Sequence, residues 1–152
     1  MELYVLLDNI RSKFNVGSIF RTAEAFNFKK VILTGFTPQI PDTEISKTAL
    51  GAEKFVNWQY WQNPSEALKF LKSQKIKIII AETWKNSQPL DKFTFPKSEP
   101  LCLVLGNEIT GVSPKLKPFA DEIVSIPMLG TIKESLNVSV AFGILAAFCK
   151  IS

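Results

Sequence analysis

Apolar runs and polar breaks alternate along this chain, and each break follows a run. Leu3–Leu7, Val31–Leu33, Ile76–Ala81, Leu101–Leu105 and Ile123–Ile126 are short and mostly apolar, and Asp8-Asn9, Thr34-Gly35, Glu82-Thr83, Gly106-Asn107 and Pro127 end them. Such runs are the pattern of strands buried on both faces. Phe55–Tyr60 alternates aromatic or branched residues with polar ones and predicts a further strand. Between the runs the spacing becomes helical. Val16, Ile19, Phe20 and Ala23 predict a helix with Asn15 as its N-cap and an end near Asn27. Asp42 predicts the cap of a short helix through Leu50, stopped by Gly51, and Pro64 opens a helix to about Ser73 with Ala67, Leu68 and Leu71 inward. Asp91–Pro100 is irregular.

The last third organises the rest. It reads as strand (Leu101–Leu105), polar loop (Gly106–Gly111), strand (Ile123–Ile126), Gly/Pro loop (Pro127–Glu134) and helix (Ser135–Phe148). That helix is apolar nearly all round, so it should be buried on several sides. In a domain this small a second subunit is the natural cover. Strands alternating with helices predict one α/β domain over residues 1–152, a mostly parallel sheet with helices on both faces. In such sheets ligands sit at the carboxyl ends of strands, where both polar loops lie.

Composition narrows the chemistry. The 152 residues suit one domain, and 46% hydrophobic with 21% charged residues is an ordinary globular balance. A formal charge of +4 hints at a polyanionic partner and proves none. There is no histidine, which excludes Ser-His-Asp and Cys-His catalysis and any histidine metal site within this chain. Cys102 and Cys149 sit in apolar runs without metal-ligand spacing, as expected of small core residues in a reducing, cytoplasmic setting. Asp8 and Arg11 interrupt the apolar start, unlike a signal peptide, and the longest apolar stretch, Val140–Cys149, is too short for a bilayer. No metal and no membrane are expected.

The glycines exclude common nucleotide motifs. Nothing matches Gly-x-Gly-x-x-Gly. Gly106 and Gly111 have P-loop separation, but Val112-Ser113 stands where Lys-Ser/Thr is required. Asn15, Ser18 and Arg21 share a broad face, and on pattern alone a solvated helix face is the favoured reading over a site. Lys69, Lys72, Lys75 and Lys77 form a basic cluster, either a solvated face or an RNA-facing patch. Pattern alone stops at a small-molecule-binding α/β domain.

Three stretches carry more. Asn9-Ile-Arg-Ser-Lys-Phe-Asn-Val-Gly-Ser-Ile-Phe-Arg-Thr-Ala23, Leu103-Val-Leu-Gly-Asn-Glu-Ile-Thr-Gly-Val-Ser113 and Ile126-Pro-Met-Leu-Gly-Thr-Ile-Lys-Glu-Ser-Leu-Asn-Val-Ser-Val-Ala141 resemble, in order, motifs 1, 2 and 3 of the SpoU (TrmH-like) branch of the SPOUT methyltransferases. Lys47–Ala52 resembles the segment this family has after its second strand. The resemblance implies an S-adenosylmethionine-dependent 2′-O-ribose RNA methyltransferase, tRNA more than rRNA, with a carboxyl-terminal trefoil knot and a homodimer through the last helix. It places Asn15, Arg21, Glu108, Ser135 and Asn137 in the reactive site. It places the cofactor among Thr83, Leu105, Gly106, Asn107, Ile126, Met128, Leu136 and Ser139.

The family assigns its motif 1 arginine as base, which would be Arg21. A guanidinium is normally protonated and cannot accept. Holding the neighbouring phosphate and stabilising the developing alkoxide is the more conservative role, with Arg21 facing the methyl and Glu108 orienting it. No separate RNA-binding extension is recognisable. Phosphate contacts are expected from the Lys69–Lys77 cluster with Arg11 and Lys13. A non-catalytic RNA-binding module on the same scaffold is the alternative.

Overall fold

Every strand pair in the sheet is parallel. The computed structural model describes residues 1–151, with β1 (Leu3–Asp8), α1 (Lys13–Ala25), β2 (Lys30–Thr34), α2 (Thr43–Ala49), β3 (Asn57–Trp61), α3 (Pro64–Ser73), β4 (Lys77–Ala81), β5 (Gln88–Pro89), β6 (Leu101–Gly106), β7 (Glu122–Ser125) and α4 (Val138–Ile151). The seven strands run in the order β3-β2-β1-β6-β4-β7-β5. The predicted α/β class and mostly parallel sheet are therefore present.

The alternation hidden inside the apolar runs is a division between two cores. Leu3, Val5 and Leu7 of β1 and Leu101, Leu103 and Leu105 of β6 join the layer built by α1, α2 and α4. Their neighbours Tyr4, Leu6, Cys102 and Val104 face the other way, toward Ala67, Leu68 and Leu71 of α3 and Leu116. Leu116 belongs to a 3-10 turn, Pro114–Phe119, that the sequence did not predict. Both cysteines are buried thiols.

Helix boundaries differ from expectation where side chains compete for caps. The N-cap of α1 is Ser12, whose hydroxyl accepts the Asn15 N–H at 3.2 Å, so Asn15 is freed from capping and lies buried inside the helix. Asn27 takes the expected left-handed conformation at φ +55°. The left-handed stop of α2 falls on Leu50 (φ +53°), one residue before Gly51. The last helix starts at Val138, not Ser135, because Asn137 caps it: Asn137 Oδ1 accepts the N–H groups of Ser139 and Val140 at 2.9 and 3.3 Å. The domain buries one stripe of α4 (Val138, Phe142, Leu145, Ala146, Cys149) and leaves Val140 and Ile151 exposed. Among the described residues no helix is long and apolar enough to cross a membrane.

Phe142 anchors α4. It is fully buried, its ring edge-on to Phe28 with centroids 5.1 Å apart. Phe142→Ala should cost about 3–5 kcal/mol in urea unfolding. A loss under about 1 kcal/mol would show that the α4 layer collapses onto the gap.

Candidate active site

A cavity of about 660 Å³ opens at the carboxyl ends of β4, β6 and β7. Its size is that of a small-molecule site. The apolar part of its wall includes Leu105, Ile126, Met128 and Leu136, and the polar part includes Thr83, Gly106 and Asn107. Glu108, Ser135 and Asn137 complete the rim expected from the sequence.

The loop after β6 is held in a fixed shape. Asn107 and Gly111 pair backbone to backbone, and Asn107 Oδ1 accepts the N–H groups of Ile109 and Thr110 at 2.9 and 3.0 Å. A Cβ on Gly106 would stand 2.0 Å from the Val112 nitrogen, so only glycine lets the two ends of the loop meet. The loop is then tied to its surroundings. Asn107 Nδ2 donates to the Asn9 carbonyl at 2.8 Å, and Asp8 Oδ2 accepts the Ser113 N–H at 2.7 Å.

Glu108 joins this loop to α1. Its Oε1 accepts the Arg11 N–H at 2.8 Å, and its Oε2 accepts the Ser12 N–H at 2.7 Å and Asn15 Nδ2 at 2.9 Å. Asn15 passes the contact on, its Oδ1 accepting Asn137 Nδ2 at 3.1 Å. One line of side chains thus crosses the three motif stretches, from Glu108 through Asn15 to Asn137. Burial pushes the Glu108 carboxyl up, but the donors from Arg11, Asn15 and Ser12 together outweigh it and hold it below the ordinary value. Asp8 goes the other way: burial pushes its carboxyl up against the pull of Ser113 and Lys115.

Three expected residues are not in the cavity wall: Asn15, which is buried in α1 behind Glu108 and Asn137, and two that stand elsewhere. Ser139 is not in the cavity wall; its hydroxyl donates to Asn137 Oδ1 at 2.6 Å on the first turn of α4. Arg21 does not face the cavity of its own chain. It is exposed and lines a separate groove with Ser18, Thr22, Phe26, Lys47 and Leu50. Glu108 therefore orients Asn15 and the loop before α1, not the guanidinium. The basic cluster is also displaced. Lys75 and Lys77 lie at the amino end of β4, a strand's length from the cavity, and Lys69 and Lys72 pair with Glu66 and Asp121. Lys13 pairs with Asp42 and Lys47 with Glu44, and among the described residues neither Lys133 in the cavity wall nor Arg21 in the groove is in an ion pair. Sequence reasoning missed Glu82, which lines the cavity beside Thr83. Its signal was available: an acid placed directly at the end of a central strand.

Comparison with known proteins gives the family and the fold. The chain belongs to the SpoU rRNA Methylase family, whose model matches residues 2–147. It is 32% identical over 145 residues to the tRNA (guanosine(18)-2′-O)-methyltransferase of Aquifex aeolicus, covering 95% of this chain and 66% of that protein. The crystal structure of the TrmH/SpoU tRNA modifying enzyme of A. aeolicus superposes with a TM-score of 0.86 at 30% identity, over 98% of this chain and 74% of that one. An AdoMet-bound rRNA methyltransferase from Sinorhizobium meliloti superposes at 0.89 with 27% identity, over 97% and 55%. The chain spans 66% and 60% of the length of two curated relatives it matches.

The direction of the Glu108 shift fixes a pH dependence. A lowered folded value contributes stability above the ordinary carboxylate range, and that stability is lost as pH falls through the folded value. Glu108→Gln should therefore be less stable than the parent near neutrality, with the gap closing as pH falls below the ordinary value of 4.5. Chemical denaturation from about pH 7 to about pH 3 reads this, and a constant gap removes the role of the charge.

Proposed function

We propose that this domain is an S-adenosylmethionine-dependent RNA 2′-O-ribose methyltransferase, with tRNA as the favoured substrate class. The observation that carries the reading is the hydrogen-bonded line Glu108–Asn15–Asn137 at the rim of the cavity. It joins the three stretches that resemble the family's motifs at the place where a nucleoside cofactor would meet its substrate. The cavity fits that cofactor by its own chemistry. Leu105, Ile126, Met128 and Leu136 offer an apolar wall to a purine, and the loop 106–111 offers backbone polar groups beside it. When bound, the sulfonium supplies an already activated methyl group.

The residues have separable tasks. Ser135 and Asn137 stand at the rim, where a target ribose would be oriented, and orientation is a large part of such a transfer. Asn15 and Glu108 keep Asn137 in place. Arg21 is the residue that holds the adjoining phosphate and stabilises the developing alkoxide. Since it stands outside the cavity of its own chain, we propose that it serves the cavity of a second copy in a homodimer. The exposed Val140 and Ile151 on α4 support that dimer. The carboxyl-terminal trefoil knot belongs to the same proposal. It is supported by the path of the chain, which leaves β7, lines the cavity at Ile126, Met128 and 133–138, and returns on α4 against α1 and β6. Tracing experimental density through residues 101–151 tests the crossing. We place the protein in the cytoplasm, in keeping with two buried free thiols.

The position of Arg21 also suits the second reading, a non-catalytic RNA-binding module. Calorimetry decides: the module binds RNA with steep salt dependence and has no affinity for S-adenosylmethionine.

Purified protein should transfer labelled methyl from S-adenosylmethionine to tRNA. Arg21→Ala should lower transfer by at least about 100-fold while its thermal melt stays that of the parent. Unchanged turnover takes Arg21 out of the site. Light scattering at micromolar concentration should give a dimer, and a monomer contradicts it. Mixing Arg21→Ala with Asn137→Ala chains should restore about a quarter of parental transfer, because half the dimers then hold one intact site. No recovery means that each chain uses its own arginine.

A further inference from the structure

Glu82 directly follows β4, and its backbone N–H donates to the Val124 carbonyl at 3.0 Å. Its carboxylate is a joint between two walls of the cavity. Oε1 accepts the Val112 N–H at 2.9 Å, and Oε2 accepts the N–H of Thr83 at 2.9 Å. The loop after β6 closes around it. Gly111 sits at φ +73°, and a Cβ there would stand 2.1 Å from Glu82 Oε1. The chain approaches the carboxylate so closely only because residue 111 has no side chain.

Two neutral donors do not exhaust a carboxylate. It has about four lone-pair positions, of which the Val112 and Thr83 amides take two. No lysine or arginine pairs with it among the described residues. The group is half-buried and lines the cavity. It therefore presents unspent acceptor capacity to whatever fills that space. A nucleoside offers two adjacent O–H donors in its ribose, and an acid that accepts ribose hydroxyls at the carboxyl edge of a parallel sheet is a recurrent solution.

We propose that Glu82 recognises the ribose 2′,3′-diol of the nucleoside cofactor while it holds the Val112 and Thr83 amides. This rests on the cofactor reading above and adds the residue and the group it selects. The negative charge makes the contact strong, and the two amides fix the direction of the carboxylate before the ligand arrives.

Calorimetry with S-adenosylhomocysteine and its 2′,3′-dideoxy analogue tests this without turnover. The parent protein should bind the dideoxy compound about 10- to 100-fold more weakly. Glu82→Gln should weaken S-adenosylhomocysteine by a similar factor and leave the dideoxy compound near its parental affinity. Equal affinity of the parent for both compounds overturns the proposal and leaves the cofactor reading standing. So does a Glu82→Gln loss that is the same for both, since the acid then serves only the loop. No binding of S-adenosylhomocysteine by the parent brings down the cofactor reading and this proposal together. The parental comparison needs no variant, so it holds even if Glu82→Gln unfolds.

Discussion

The structure of the site depends on how one short loop, residues 107–113, is held at the carboxyl end of β6. Unpaired backbone donors at a sheet end must find acceptors, or the loop stays mobile. Three carboxylates from three directions meet that need. Asp8 takes the Ser113 N–H, Glu82 takes the Val112 N–H, and Glu108 reaches outward from the loop to the Arg11 and Ser12 N–H groups. The loop is thereby joined to β1, to β4 and to the start of α1, three elements that share no local sequence.

Parallel order makes this possible. β1, β6 and β4 are neighbours in the sheet and end at one edge. Asp8 pairs in register with Gly106, so the acid that closes β1 lies level with the glycine that opens the loop. Connections between parallel strands must cross a face of the sheet, and here α1 crosses directly after the Asp8–Arg11 turn. Its first turn is therefore beside the loop, and Asn15, freed from capping by Ser12, can connect Glu108 to Asn137.

Much of this was legible in the chain. Strands covered on both faces appear as unbroken apolar runs, which is why β1, β4 and β6 were found almost to the residue. The two polar loops after β6 and β7 marked the cavity, and Thr83, Leu105, Met128 and Asn137 all came to it. What stayed hidden was set by competition between side chains and by distance in sequence. Ser12 and Asn15 are both good caps, and only the contact of Asn15 with Glu108, 93 residues away, decides between them. Asn137 looked like the third residue of a helix and is its cap. Arg21 occupies a helical position that periodicity places on a face, but no periodicity says which cavity that face serves. Glu82 was passed over as part of a polar exit because an acid after a strand usually meets water.

The charges around the cavity are arranged to keep these roles apart. The three acids that shape it accept from backbone N–H groups and from the Asn9 and Asn15 side-chain amides, while the ion pairs among the described residues lie elsewhere, at Lys13, Lys29, Lys47, Lys69 and Lys72. An arginine or lysine in place of those amides would neutralise each acid more cheaply, but its long side chain would occupy the opening and its charge would be spent there. Backbone donors are short, fixed and neutral, so they stabilise a carboxylate without filling space. The result is a negative frame around an open space, with Lys133 in its wall and Arg21 in a neighbouring groove, neither in an ion pair among the described residues. Shape is fixed by acids bound to amides, and cations are left for a partner that brings its own negative charge.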